Sequence, residues 1–363
     1  MSQIQYFLGS NSPAGFYSLY STLSDSRRIE QVYILKGGPG CGKSSFMRRV
    51  ARHAQAAGQP AEEILCSGDP DSLDGVLLPG LGAVILDGTA PHVIEPRCPG
   101  ALDRYVDLSR FYDCAALRPL RAQLQSTTEQ YKEHYQQAYR CLGAAGELRR
   151  NLQEAADRPE VRRHLERRAA GIIKRELKRS GGHGGAEYRF LSALTHRGCV
   201  MLWDTVSAQA ERVYSLSDGS GLAHSLLAPI LTAAQAAEHR VIVCPDPLAP
   251  HRLAHLLLPD LSLAFVTSAP EAPWPRRAYR HLRLDAMADS EELRARRPQL
   301  RFTRKVAAAL EEEGVNCLAQ AKRTHDELEQ IYNPHVDFDG VYAAADELSA
   351  MLLDQTASRS DAV

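Results

Sequence analysis

The sequence predicts an α/β protein of two similarly built halves, each a mainly parallel sheet with a helical extension. Three observations predict it. The apolar run Val32-Tyr33-Ile34-Leu35 leads through a glycine-rich loop into a segment with Phe46, Met47 and Val50 at helical spacing. A second apolar run, Ala83-Val84-Ile85-Leu86, ends in the acid Asp87. A series of short motifs then recurs in the same order about 180 residues later, as a duplication with small indels would leave it.

The first strand and helix bracket Gly37-Gly38-Pro39-Gly40-Cys41-Gly42-Lys43-Ser44, with Ser45 next in line. Strand, G-x-x-x-x-G-K-S and helix together are the context of a phosphate-binding loop. Its glycines let backbone N–H groups curl around phosphate oxygens with no Cβ in the way. The helix N-terminus adds unpaired N–H groups and partial positive charge. Lys43 is expected to reach the β- and γ-phosphates of a nucleoside triphosphate, and Ser44 to offer its hydroxyl to Mg²⁺. Cys41 lies at a helix N-terminus, a setting that lowers a thiol pKa, although its place in the motif is a variable one.

The strand ending in Asp87 fits the acid that holds Mg²⁺ beside such a loop, so Ser44 and Asp87 are the expected metal residues. Gly88 follows where many ATPases carry a water-orienting glutamate. The polar turn Gly68-Asp69-Pro70-Asp71-Ser72-Leu73-Asp74 offers substitutes. Asp71 and Asp74 are the leading candidates to orient water or accept a proton. Helix capping by Asp69 or Asp71 ahead of Ser72-Leu73 is the plainer alternative. Thr89 and His92 follow Asp87 closely enough to sense the terminal phosphate. The sequence lacks Asn-Lys-x-Asp, the usual guanine-reading element, so ATP with Mg²⁺ is the expected ligand.

The recurrence pairs Tyr6-Phe7-Leu8 with Arg189-Phe190-Leu191, Ile64-Leu65-Cys66 with Val241-Ile242-Val243-Cys244, and Leu77-Leu78-Pro79-Gly80-Leu81 with Leu257-Leu258-Pro259-Asp260-Leu261. Sliding the first loop onto the second sets Asp218 at the place of Gly37, Ala223 at Gly42 and His224 at Lys43. A carboxylate repels a triphosphate and a neutral imidazole replaces an ammonium poorly, so the second loop is expected to be silent. Expected bounds are 1–180 for the first half, a glycine-rich linker at 181–186, 187–353 for the second, and a frayed polar tail at 354–363. Leu120 to Gly143 and Arg304 to Ile331 read as long helices, each with a Cys-Leu pair, expected to form a helical hairpin beside each half.

The stretches Ile34 to Gly40, Asp71 to Gly75 and Leu86 to His92, taken together, resemble a family of tandem P-loop ATPases found mostly in spore-forming bacteria. The resemblance covers nearly the whole chain and implies two P-loop NTPase-like halves with nucleotide chemistry. Members are usually intact at both loops, from which Asp218, Ala223 and His224 depart.

Composition sets the outer bounds. The 363 residues, 44% hydrophobic and 24% charged with a formal charge of −1, suit a globular chain of two ordinary domains with no global pull toward nucleic acid or anionic membrane. The eight cysteines stand without a C-x-x-C pair, and neither a leader nor a membrane-spanning run is evident, so a cytoplasmic protein is expected. From Arg149 to Arg179 eleven basic residues face five acidic ones. A solvated helical face is preferred there over a nucleic-acid surface, since no aromatic side chain interleaves it. A protein partner or a homodimer remains open.

Overall fold

The computed structural model describes residues 3–23, 29–178, 184–269, 272–288 and 291–360. The first part contains β1 (Ile4–Phe7), a hairpin of β2 (Gly9–Ser12) and β3 (Gly15–Ser18), β4 (Gln31–Lys36), α1 (Lys43–Ala56), β5 (Glu62–Leu65), β6 (Leu73–Leu78), β7 (Ala83–Asp87) and β8 (Asp103–Asp107). A short α2 (Cys114–Leu117), the long α3 (Arg121–Ala156) and α4 (Pro159–Glu176) follow. The second part runs β9 (Ala186–Tyr188), a hairpin of β10 (Ser192–Thr195) and β11 (Gly198–Met201), α5 (Trp203–Gln209), β12 (Arg212–Ser217), α6 (Ala223–Ala236), β13 (Val241–Asp246), β14 (Ala249–Leu258), β15 (Leu263–Ser268) and β16 (Arg280–Arg283). It ends in short α7 (Leu284–Ala288) and α8 (Glu291–Ala295), the long α9 (Arg297–Tyr332), and α10 (Phe338–Ser360).

The α/β class is as expected, and each sheet is mixed, with three parallel and two antiparallel strand pairings. The first six-stranded sheet has the order β1-β5-β6-β7-β4-β8, and the second repeats it as β9-β13-β14-β15-β12-β16. In each, one strand (β6 or β14) runs antiparallel to both neighbours. The cause is the short link at residues 79–82, a single 3₁₀ turn between β6 and β7. A parallel return needs a crossover of a dozen or more residues, so the chain can only double back. The loop strand β4 and the Asp87 strand β7 are parallel neighbours, with Leu35 opposite Asp87.

The two long helices do not form separate hairpins. Helices α3 and α9, each 36 residues, pack along one another across the halves. Ala138, Leu142, Cys317 and Leu318 form the seam. A Cβ on Gly314 would lie 2.8 Å from Leu142 Cδ2, so glycine there sets the close approach. Equivalent residues face each other in this arrangement. Phe7 and Phe190, paired by sequence recurrence, exchange both backbone hydrogen bonds (2.9 and 2.8 Å). Their mutual pairing is the signature of a two-fold relation within one chain.

The last helix of each part crosses over as well. The apolar stripe of α4, Val161, Leu165, Ala169 and Ile172, packs on α6 in the second part. Val341, Ala345, Leu348 and Leu352 of α10 return to the core around α1, where Arg49 and Asp346 pair (Nη2 to Oδ2 2.8 Å). So the helix α10, inside the bounds expected for the second half, completes the first core. The basic stretch is not one helix: Pro159 cannot continue α3, and Arg158 before it is extended (φ −91°, ψ 160°). Arg162 and Arg163 pair with Asp157 and Glu160 on the solvent side of α4. Residues 179–183, with the first half of the expected linker, lie outside the described residues, as do 361–363. Helix α10 continues through Ser360, past the start of the segment expected to fray.

Replacing Leu165 by Ala removes a fully buried side chain and is expected to cost about 2–5 kcal/mol in denaturant unfolding. Amide exchange in the Leu165→Ala protein should quicken in α6 rather than in α1, because α4 shields the opposite sheet.

Candidate functional site

The loop Gly37–Gly42 leaves β4 at the carboxyl edge of the first sheet and hands over to α1 at Lys43. Gly40 (φ +69°) and Gly42 (φ +83°) occupy the left-handed region, where a Cβ would be strained. The Lys43 ammonium folds back into the loop, donating to the carbonyls of Gly37 and Gly38, both at 2.9 Å. It lies 3.7 Å from Oδ2 of Asp87. Asp87 is oriented by its own turn: Oδ1 accepts from the backbone and hydroxyl of Thr89 (2.8 and 2.6 Å). Thr89 thus aims the carboxylate. The Ser44 hydroxyl accepts the N–H of Leu73 (3.0 Å), tying the first turn of α1 to β6. Ser45, next to it, is exposed. Ser44 and Asp87 offer hard oxygen donors beside the loop, the ligand type a Mg²⁺ ion takes.

The two candidate acids part company. Asp71 is exposed and forms a bidentate pair with Arg197 from the β10–β11 turn, which holds its carboxyl below the ordinary value. Asp69 caps no helix, because β6 follows the turn; it accepts from Ser72 Oγ (2.9 Å) and pairs with Lys322 (3.4 Å). Asp74 is already inside β6 and buried, with His92 Nε2 3.1 Å from its Oδ2. Rings of Phe16 and Tyr20 flank the imidazole at 4.9 and 4.8 Å. Burial opposes a charged imidazole, but the carboxylates of Asp74 and then Asp87 outweigh it and hold His92 above the ordinary histidine value. Burial would raise Asp74, yet the facing His92 outweighs that and holds its carboxyl low. His92 is thereby biased toward its cationic form. The Cys41 thiol is buried and pushed up rather than lowered, since desolvation exceeds the pull of Lys43.

Residues outside the motif also build the loop. Tyr112 donates its hydroxyl to the Pro39 carbonyl (2.8 Å). Lys36 donates to the carbonyls of Gly88 (2.9 Å) and Ile94 (3.0 Å), fixing the segment that carries Thr89 and His92. The end of α9, with Glu329 and Asn333, sits against Gly40. Nothing in the local sequence marks Tyr112 or Asn333, which reach the loop through tertiary packing alone.

The second loop is one residue shorter than the first, which corrects the register given above. Helices α1 and α6 are both 14 residues long and start at Lys43 and Ala223, so Ala223 rather than His224 stands where Lys43 does. His224 matches Ser44: its Nδ1 accepts the N–H of Leu253 (3.2 Å) as Ser44 accepts that of Leu73. Asp218 remains at the loop's first position, and its carboxylate accepts from the N–H groups of Leu222 (2.8 Å) and Ala223 (2.6 Å). Burial holds Asp218 above the ordinary carboxyl value despite these donors. Thr267 pairs with Leu216 where Asp87 pairs with Leu35. The second loop therefore has its amide donors bound to carboxylates of the chain, Asp218 and, at Gly219, Asp285, and carries neither a lysine nor an acid at the places of Lys43 and Asp87.

Comparison with protein-family models, with curated proteins and with solved structures finds no match to this chain.

The His92–Asp74 pair sets a pH dependence. The contribution of His92 is complete below the unfolded histidine value, 6.5, and is lost as pH rises through its raised folded value. That of Asp74 is present above 3.8 and lost as pH falls through its depressed folded value. Urea unfolding of His92→Gln beside the parent protein should therefore show a stability gap that is widest between about pH 4 and 6.5 and narrows on the alkaline side. A gap that stays constant up to pH 9 would remove the ion pair.

Proposed function

We propose that the chain binds ATP with Mg²⁺ at the Gly37–Ser44 loop and hydrolyses it slowly, as a nucleotide-driven switch, while the second loop, a degenerate copy in a tandem pair of P-loop NTPase-like domains, is chemically silent. The observation that carries this reading is the Lys43 ammonium, held by the Gly37 and Gly38 carbonyls beside Asp87 on the adjacent strand. That ammonium, the loop N–H groups and the start of α1 converge where a β,γ-phosphate would lie. Mg²⁺ would be held by Ser44 and Asp87, where it would neutralise charge on the phosphates. Slow turnover follows from the surrounding acids. Gly88 stands after Asp87, Asp71 is engaged by Arg197, and Asp74 by His92, so each candidate base already has a partner. The same engagement weighs against a small-molecule kinase, which needs a base free to accept a hydroxyl proton.

Calorimetry with a non-hydrolysable ATP analogue and Mg²⁺ is expected to give one site per chain. Lys43→Ala should abolish it, and His224→Ala should leave it intact. Two sites, or equal losses from both changes, would overturn the division of labour. Asp87→Asn should lower Mg²⁺-dependent turnover more than analogue affinity, and unchanged turnover would take Asp87 out of the site.

A further inference from the structure

Helix α9 belongs to the second part of the chain, yet its last turn lies on the glycine loop of the first. A Cβ on Gly40 would stand 3.3 Å from both the Cα and the carbonyl oxygen of Glu329, so helix backbone and loop backbone touch with nothing between. The side-chain amide of Asn333 faces the carbonyls of Gly40 and Glu329. Only its nitrogen can serve both, donating at 3.0 and 3.1 Å. On the adjoining residue, the Pro39 carbonyl accepts from Tyr112, whose ring packs on Tyr332 of α9 at 5.3 Å. Backbone hydrogen bonds lace the two supports together: Asp113 N–H to His335 O (2.8 Å) and Asp337 N–H to Phe111 O (2.9 Å).

These contacts engage successive carbonyls on the outside of the loop. In a tight turn, fixing a carbonyl outward fixes the peptide plane and turns the following N–H inward. The same contact recurs in the second part. Gly221 (φ +72°) meets Gln153 of α3, with a Cβ 3.2 Å from Gln153 Cγ. Gln153 is the residue of α3 that matches Glu329 in α9, each the thirty-third of its helix. There Arg252 donates to the Gly221 carbonyl (2.9 Å) and the Gln153 amide oxygen (2.6 Å), the counterpart of the Asn333 bridge.

We propose that Asn333 and Tyr112 are positioning residues that hold the loop in its phosphate-accepting form, so that the nucleotide site of the first part is completed by the second. The clamp acts on the loop whether or not a ligand is bound; its consequence for affinity rests on the ATP reading above.

The test uses the full chain with Asn333→Leu and Tyr112→Phe, singly and together; both nearly keep side-chain size and remove the donors without adding charge. Hydrogen exchange of the ligand-free proteins is followed over residues 37–45, with thermal unfolding recorded to confirm an intact fold. About tenfold faster exchange confined to that segment is expected in the double variant. Exchange unchanged there, in folded protein, overturns the clamp whatever the protein binds. Affinities for the ATP analogue and for inorganic tripolyphosphate, which has no base or sugar, should then weaken by the same factor, about tenfold. Loss for the nucleotide with none for tripolyphosphate would make these residues nucleoside contacts and overturn positioning. If exchange quickens but the parent protein binds neither probe, the clamp stands and the ATP reading falls.

Discussion

The packing of α3 against α9 is the constraint on which the rest depends. It carries each long helix from its own sheet to the other's loop, and it delivers α4 and α10 to the helices they cover. The outer face of α1 is buried by Val341, Ala345 and Leu348, and that of α6 by Val161, Leu165 and Ala169. Neither core closes without a helix drawn from the other part of the chain. Side-chain burial at about 25 cal/mol per Å² makes such exchanged helices worth several kcal/mol each. The exchange is thus a term of the same size as the net stability of a domain.

Within that frame the two sheets treat buried charge differently. The first gathers two opposite-charge pairs, Lys43 with Asp87 and His92 with Asp74. Each charge has an opposite neighbour, which is the condition for keeping ionised groups away from water. The N–H groups of its loop remain available, because the lysine binds carbonyls and no acid sits among the amides. The second sheet has no lysine at that place, and Thr267 stands where Asp87 does. Its loop amides are bound by Asp218 and, at Gly219, by Asp285, and burial pushes His255 down to about 3, so that it stays neutral.

The parts legible in sequence were those encoded locally. The strand, glycine loop and helix around Lys43 follow from composition and spacing, and Ala83–Asp87 is a strand with the predicted bounds. The recurrence of motifs foretold the repeated strand order. The missed features depend on chain reversal or on distance. A short link sends β6 backwards although its apolar run looks like that of a parallel strand. The one-residue deletion in the second loop hides in a sequence comparison, because His224 resembles a weakened lysine until the helix start is seen. Pro159 was a readable break in the basic stretch. The crossing of α3 and α9 had only the small residues Ala138 and Gly314 as a trace, and Tyr112 and Asn333 had none.

The second loop explains why a carboxylate, of all replacements, stands there. The turn into α6 points the N–H groups of Ser220, Leu222 and Ala223 at Asp218, while that of Gly219 goes to Asp285. An anion-accepting turn with no anion leaves buried donors unsatisfied, at roughly 1–3 kcal/mol apiece. A loop that meets phosphate only part of the time must bear that cost or stay partly open to water. Asp218 removes it by supplying the oxygens from within the chain, at 2.6 and 2.8 Å. Burial penalises the charged carboxylate and holds Asp218 above the ordinary value, while the amides offset part of that cost. The loop thus has its polar groups satisfied from within the chain.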